Sequence, residues 1–257
     1  MGVQSVLYIN DFDTSAIGLV VAGVPDIGNI PATAPVTRAL YQRAGLVQVA
    51  TSPKLAERTI TVRGTIVATT VVQRDQYLDA LKALCLSNLV EVRFLQPTDR
   101  FWRAYLTRLV TTPFSGPQFL AAAVQVELTF TAYDPIGYSL SVRASAFGAA
   151  PLAAPAGTAP SAPLLRLSGG TDPVVTLRDA AGVARQTIGF TITLAAGDYL
   201  DVDCQTMTIT KSVSGTVTDA LSTLASGDFL VLDPAYGALT LEVNSGTGVA
   251  FYRKAWL

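Results

Sequence analysis

The stretch FGAAPLAAPAGTAPSAP, residues 147–163, limits every fold open to this 257-residue chain. Pro151, Pro155, Pro160 and Pro163 each remove a backbone donor and fix φ, so no helix runs through it despite its alanines. Gly148 and Gly157 loosen it, and no charge ties it to a surface. Such a segment builds no core of its own. The chain therefore reads as two bodies with an extended linker between them: residues 1–147, a linker at 148–163, and residues 164–257.

The first body alternates with the period of a strand. In RTITVRGTIV (58–67), Ile60, Val62 and Ile66 share one face, while Thr59, Thr61, Arg63 and Thr65 share the other. VQVELTFTAYDP repeats the device with Val124, Val126, Leu128 and Phe130, and Asp134-Pro135 stops it. VEVRF (90–94) and FWRAYLTRL (101–109) read as two more strands, joined by the turn signal Gln96-Pro97-Thr98-Asp99. One segment changes period. Across QRDQYLDALKALCL (73–86), Tyr77, Leu78, Leu81, Leu84 and Cys85 line one side of a helix, which Ser87-Asn88 ends. Residues 25–45 hold too much Pro and Gly for a long element and read as an extended loop or arm.

After the linker, short apolar runs alternate with turn signals at 179–182, 195–198, 212–215, 233–237 and 244–248. That spacing predicts an all-β sandwich or jelly roll. VTDALSTLASGD (217–228) reads as a short helix or a structured loop. The closing GVAFYRKAWL reads as a strand, with Val249, Phe251 and Ala255 on one side and Tyr252, Lys254 and Trp256 on the other.

Composition narrows the function classes. Half of the residues are apolar and mean hydropathy is +0.40, which excludes a disordered chain. No apolar run approaches the ~18 residues that span a bilayer. The opening MGVQSVLYINDFD lacks the basic start and apolar block of a secretory signal, so a soluble product made in a cytoplasm is expected, with no membrane partner. The net charge is −1, and neither half carries the basic excess of a nucleic-acid binder. The chain has no histidine. That removes Ser-His-Asp and Cys-His catalysis together with histidine metal sites. No phosphate-binding loop or zinc spacing occurs, and no cofactor is expected. Cys85 and Cys204, one in each body, read as buried free thiols.

Carboxylates and tryptophans are the remaining candidates. Asp201 and Asp203 lie roughly 7 Å apart along one strand face, a separation open to an inverting glycosidase pair or to half of a calcium site. The simpler reading is a solvated outer face alternating with Leu200, Val202 and Cys204 inside. Asp11 and Asp13 read as a turn after the first strand. Trp102 and Trp256 could stack on sugars, although both sit in alternating strands where packing is the commoner role. No catalytic, cofactor-binding, metal or sugar-binding residue is assigned.

Taken together, the patterns resemble the distal tail protein family of long-tailed siphophages. LYINDFDTSAIGLVV is similar to that family's opening strand, Asp-containing turn and second strand. ERTITVRGTI, the helix QRDQYLDALKALC and the strand pair after it resemble its N-terminal belt domain. GDFLVLDPAYGALTLEVNSGTGVAFYRKAWL resembles the end of its C-terminal galectin-like β-sandwich, although DPAYGALT lacks the Pro-Gly-x-Asn form of the turn. The resemblance implies a mainly β fold, with a sandwich-like belt domain that carries one α-helix and a galectin-like jelly roll. It further implies a structural virion protein at the tail tip, assembled in the host cytoplasm and not an enzyme. Six copies would form a ring between the tail tube and the tail-associated and receptor-binding proteins. DNA would pass through that ring without sequence-specific binding. The alternatives are a carbohydrate-binding module, another tail or baseplate component, or a small β-rich glycosidase using Asp201 or Asp203.

Overall fold

The computed structural model describes residues 6–23, 25–28, 33–34, 37–39, 46–48, 54–85, 88–94, 99–114, 122–148, 151–152 and 157–256. The chain divides into two compact units, Met1–Gly137 with Leu257, and Tyr138–Trp256.

The first unit opens with β1 (Leu7–Ile9), β2 (Phe12–Asp13) and β3 (Leu19–Val21). Four short strands follow: β4 (Thr33–Ala34), β5 (Thr37–Ala39), β6 (Leu46–Gln48) and β7 (Lys54–Leu55). Then come β8 (Arg58–Val67), helix α1 (Val71–Cys85), β9 (Val90–Phe94), β10 (Arg100–Pro113) and β11 (Ala123–Ala132). Antiparallel neighbours run in the order β2-β1-β9-β10-β11-β8-β3. Strand β10 serves two partners. Its Phe101–Ala104 portion pairs with β9, while Tyr105–Pro113 pairs with β11 across a register shift between Leu106 and Arg108. A bulge bends the strand that carries it. Both arms of the bent sheet contribute to one core: Leu7, Ile9, Val92 and Phe94 from one, Ile60, Val62, Leu128 and Phe130 from the other.

Helix α1 adds Leu81 and Cys85 to that core, with Tyr77, Leu78 and Leu84 partly buried beside them, which is the face expected from the spacing. Its start is fixed locally. Thr70 Oγ1 accepts from the Gln73 amide at 3.1 Å, and Gln73 Oε1 accepts from the Thr69 amide at 2.9 Å. This exchange satisfies donors that the first turn leaves open. The helix ends at Cys85; Ser87, and Gln96 to Thr98 of the expected turn, lie outside the described residues.

Residues 26–61 contain nested antiparallel pairings. Asp26 bridges Thr61, Thr33 lies opposite Leu55, and Thr37 lies opposite Gln48. The arm expected at 25–45 is thus one leg of a long hairpin whose other leg runs into β8. The rest of that expected arm lies outside the described residues.

The chain passes into the second unit at β12 (Gly137–Ser139) and continues with β13 (Arg143–Ala146), β14 (Leu164–Thr171), β15 (Val174–Arg178), β16 (Ala184–Phe190) and β17 (Thr193–Asp203). There follow β18 (Thr208–Val213), β19 (Thr216–Asp219), β20 (Leu224–Gly227), β21 (Thr240–Val243), β22 (Thr247–Tyr252) and β23 (Ala255–Trp256). A six-stranded sheet, β13-β22-β14-β17-β18-β19, and a four-stranded sheet, β20-β16-β15-β21, make the sandwich. Leu165, Leu167, Leu200, Val202 and Ile209 from the first meet Val175, Leu177, Ile188 and Leu241 from the second. The fold is mainly β with one α-helix, as the sequence indicated.

Three details differ from expectation. Residues 217–228 hold a short helix only as the 3-10 turn Leu221–Thr223, which joins two unexpected strands, β19 and β20. The closing strand breaks at Arg253-Lys254, where the Arg253 guanidinium donates to the Ser139 and Leu140 carbonyls. Its core face is Ala250 and Tyr252, while Val249 and Phe251 are only half-buried. The largest difference concerns residues 138–163. The boundary falls at 137/138 and not at 147, because β13 pairs with β22 from Arg143↔Tyr252 to Ala146↔Val249. The described part of the Ala/Pro stretch is docked on the second unit, not strung out as a tether. Leu152 is 2% exposed in its core and donates its amide to Leu239 O. Ala159 is buried, and Ser161 exchanges both backbone bonds with Leu232 at 3.0 and 2.8 Å. Prolines deny a helix but leave the amides between them free to pair, and small alanines allow close approach.

Gly157 shows how close. A Cβ added there would stand 1.9 Å from Ala255 O. Gly157→Ala should therefore lower unfolding free energy by about 2 kcal/mol, as overpacking of a tight contact does. Urea unfolding checks this; a free tether would tolerate the change without loss. A second check follows from the boundary. A fragment of residues 138–257 should give a cooperative unfolding transition, whereas residues 164–257, stripped of β13 and Leu152, should not.

Candidate functional site

The carboxylates singled out in the sequence are each engaged in structural work. Asp201 on β17 lies opposite Arg166 on β14, and the two form a fork-like pair at 2.7 and 2.8 Å. The Arg166 guanidinium also stacks over the Tyr199 ring at 4.3 Å. Asp203 turns to the following loop, accepting from the Gln205 and Thr206 amides at 2.8 and 3.1 Å. Leu200, Val202 and Cys204 alternate with them and are buried, so this face is the outside of the sandwich. One carboxylate is neutralised by an arginine and the other holds a turn. Neither is poised as a general acid.

Asp11 and Asp13 behave alike. Asp13 accepts from the Ser15 amide at 2.8 Å and caps a 3-10 turn. Asp11, at φ 64°, pairs with Arg93 at 3.1 Å, and Arg93 in turn covers the Tyr8 ring at 4.3 Å. Trp102 is 2% exposed beside Phe94, with ring centroids 6.3 Å apart, and cannot offer a face to a sugar. Trp256 is half-buried. Among the described residues no three His, Cys, Asp or Glu side chains gather as metal ligands.

Asp179, legible in the sequence only as the start of the turn at 179–182, is made a hub by the fold. Its carboxylate accepts from the Val183 amide and the Ala181 amide at 2.9 Å each, and from Arg185 Nε at 2.8 Å. These bonds, the Val183 amide first, hold its carboxyl below the usual range despite burial. Both cysteines are buried and free, and burial pushes the Cys85 thiol up to about 11 and the Cys204 thiol up to about 12. Thiols of that kind are poor nucleophiles at neutral pH.

Open grooves exist, without chemistry. One of about 410 Å³ on the first unit is lined by Gly64, Thr65, Val110 and Gln125, with Arg63 and Glu127 paired across it at 2.8 Å. Another of about 440 Å³ on the second unit is lined by Phe147, Glu242, Val243 and Thr247. Sheet margins are the more substantial feature. All four residues of β19, at the end of the six-stranded sheet, are exposed, and Val217 is 60% exposed. An exposed strand at a sheet margin is a template for pairing with another chain.

With this geometry in view, the chain compares as follows. No family model and no curated protein sequence matches it. Its fold is that of the Dit protein of phage SPP1, described as a paradigm of the hub adsorption apparatus in phages that infect Gram-positive bacteria. The TM-score is 0.72 and identity 16%, over 98% of this chain and 99% of that one. It is also similar to a chain of the phage P2 baseplate in its activated conformation with calcium, at TM-score 0.55 and 12% identity, over 98% of both chains. The strontium form of that baseplate gives 0.55 and 13%, again over 98% of both.

Two outcomes follow from the site geometry. Reagents for thiols should label neither cysteine in the folded chain at pH 7 and both in urea without reductant. The Asp179→Asn variant should melt lower than wild type at pH 6–7. A carboxyl held low in the folded state stabilises above its unfolded pKa and loses that contribution as pH falls through the folded value. The difference in melting temperature should therefore shrink below about pH 4.

Proposed function

We propose that this chain is a distal tail protein of a long-tailed phage, a structural hub and not an enzyme. Six copies form a ring through the first unit, joining the tail tube above to the tail-associated and receptor-binding proteins below. The observation that carries this reading is the match of both units, end to end, to a protein described as an adsorption hub.

The chain's own physics supports it. A closed ring needs two different surfaces on each copy that fit each other. The nested strand pairs between Asp26 and Thr61 form a two-stranded arm, and strand edges of that kind pair readily with another copy. Engagement of the candidate carboxylates in ion pairs and turns favours scaffolding over catalysis. The near-neutral charge suits a ring through which DNA slides, since a strongly basic channel would grip phosphate.

Negative-stain electron microscopy of two proteins tests the proposal. The full chain should give six-fold rings. A variant in which residues 29–56 are replaced by a short Gly-Ser turn should give single copies that retain the far-ultraviolet strand signal. Rings formed equally well without the hairpin would contradict its role, and single copies of the full chain would contradict the hub.

A further inference from the structure

The chain treats the sheet margins of its second unit unequally. At β21 the Ala/Pro stretch closes the edge: the Gly148 and Leu152 amides donate to the Leu241 and Leu239 carbonyls at 2.8 and 2.6 Å. At β20, the other margin of that sheet, a register shift between Gly189 and Phe190 interrupts the pairing with β16. Covering segments and bulges are ordinary devices that keep an edge from recruiting another strand. The margin strand β19 of the six-stranded sheet has neither. It pairs with β18 without a shift from Thr210↔Asp219 to Val213↔Thr216, and its sequence, Thr-Val-Thr-Asp, holds no proline and no lysine.

Which of its backbone groups are open follows from the ladder. The Ala220 amide donates to Ile209 O at 2.9 Å. Bonded pairs alternate along an antiparallel ladder, so Thr218 and Thr216 also turn their backbone groups to β18. The two-residue turn Ser214-Gly215, at φ 48° and 83°, gives the same phase, because a bonded pair closes such a turn, here Val213 and Thr216. Val217 and Asp219 therefore point N–H and C=O away from the sheet. Their side chains share its outer face, Asp219 in one row with Thr210 and Asp201. Asp219 is exposed and makes no ion pair among the described residues. Val217 is exposed too, as are Met207, Val213 and Leu221 on or beside the same hairpin. Open backbone groups among exposed apolar side chains mark an edge that another strand can cover.

We propose that β19 accepts an extended strand from a different protein, antiparallel, with an apolar side chain opposite Val217 and a lysine or arginine opposite Asp219. Backbone bonds to Val217 and Asp219 hold that strand, and the two side chains select it. A second copy of this chain fits the edge less well. The register that joins all four outward groups of each strand sets Val217 of one copy against Asp219 of the other. Both acids then face valines, and neither meets a cation. The proposal goes beyond the ring above, since it concerns the second unit and holds for a single copy.

The probe is a labelled nine-residue peptide that alternates threonine with valine and lysine, beside a counterpart with glutamate for lysine. Fluorescence anisotropy with the full chain reads affinity, and hydrogen exchange followed by mass spectrometry locates the bound peptide. The lysine peptide should bind about fivefold more tightly than the glutamate one and slow exchange at residues 216–219. Val217→Pro removes one outward N–H and no ladder bond, a position at which an edge strand tolerates proline. It should weaken the lysine peptide about tenfold while the urea midpoint and the association of copies stay unchanged. Asp219→Lys, an exposed change, should reverse the order of the two peptides. Binding of neither peptide, binding without protection at 216–219, or an affinity that neither variant alters would overturn the proposal and leave the ring untouched. Association of copies that Val217→Pro abolishes would overturn it as well, by seating a second copy on β19.

Discussion

The first unit hangs on the ladder between Arg58–Val67 and Ala123–Ala132, which runs without a shift from Val67↔Ala123 to Arg58↔Ala132. Period-two alternation in both strands makes that register self-enforcing, since a slip of one residue exchanges core for solvent along its whole length. With the register set, Ile60, Val62 and Ile66 meet Val124, Val126, Leu128 and Phe130 inside, while Arg63 and Glu127 face each other outside. Gly64 belongs to the same device. A Cβ there would stand 2.6 Å from Val20 O, so the glycine is what lets β3 pair with β8. The same alternation forces Arg58 inward, where it lies opposite Ala132.

Much of this was legible from residues alone because one face of each long strand is buried. Alternation marks such strands plainly, and β8, β9, β11 and α1 sit where Ile60, Val92, Val126 and Leu81 indicated. What escaped reading has no period. The hairpin strands β4 to β7 are two or three residues long among prolines, and only pairing with a distant partner defines them. The Ala/Pro stretch was read from composition, which reports what a segment cannot form and is silent on what it lies against. Leu152 helps anchor it, beside the Ser161–Leu232 backbone pair, and burying one such side chain is worth about 2 kcal/mol. At residues 217–228 a short helix or structured loop was one reading, yet pairing of β19 with β18 and of β20 with β16 prevails on either side of a 3-10 turn.

The candidate carboxylates teach a related lesson about function. Asp201 and Asp203 have the spacing of a catalytic pair, but spacing along a strand does not reveal what faces each group across the sheet. Arg166 decides the first, and the Gln205 and Thr206 amides decide the second. Asp179 was legible only as the start of a turn, because its partners converge through that turn, although it is the most heavily bonded acid of the second unit among the described residues. Polar groups in this protein are spent on holding strands and turns in place. Among the described residues the exposed margin strand β19 stays open to other molecules, a feature of a part that assembles.

Native mass spectrometry of the full chain at micromolar concentration tests that view most directly. A dominant species of six copies is expected, dissociating as whole subunits when activated. A spectrum of single copies at every concentration, with both units folded, would contradict it.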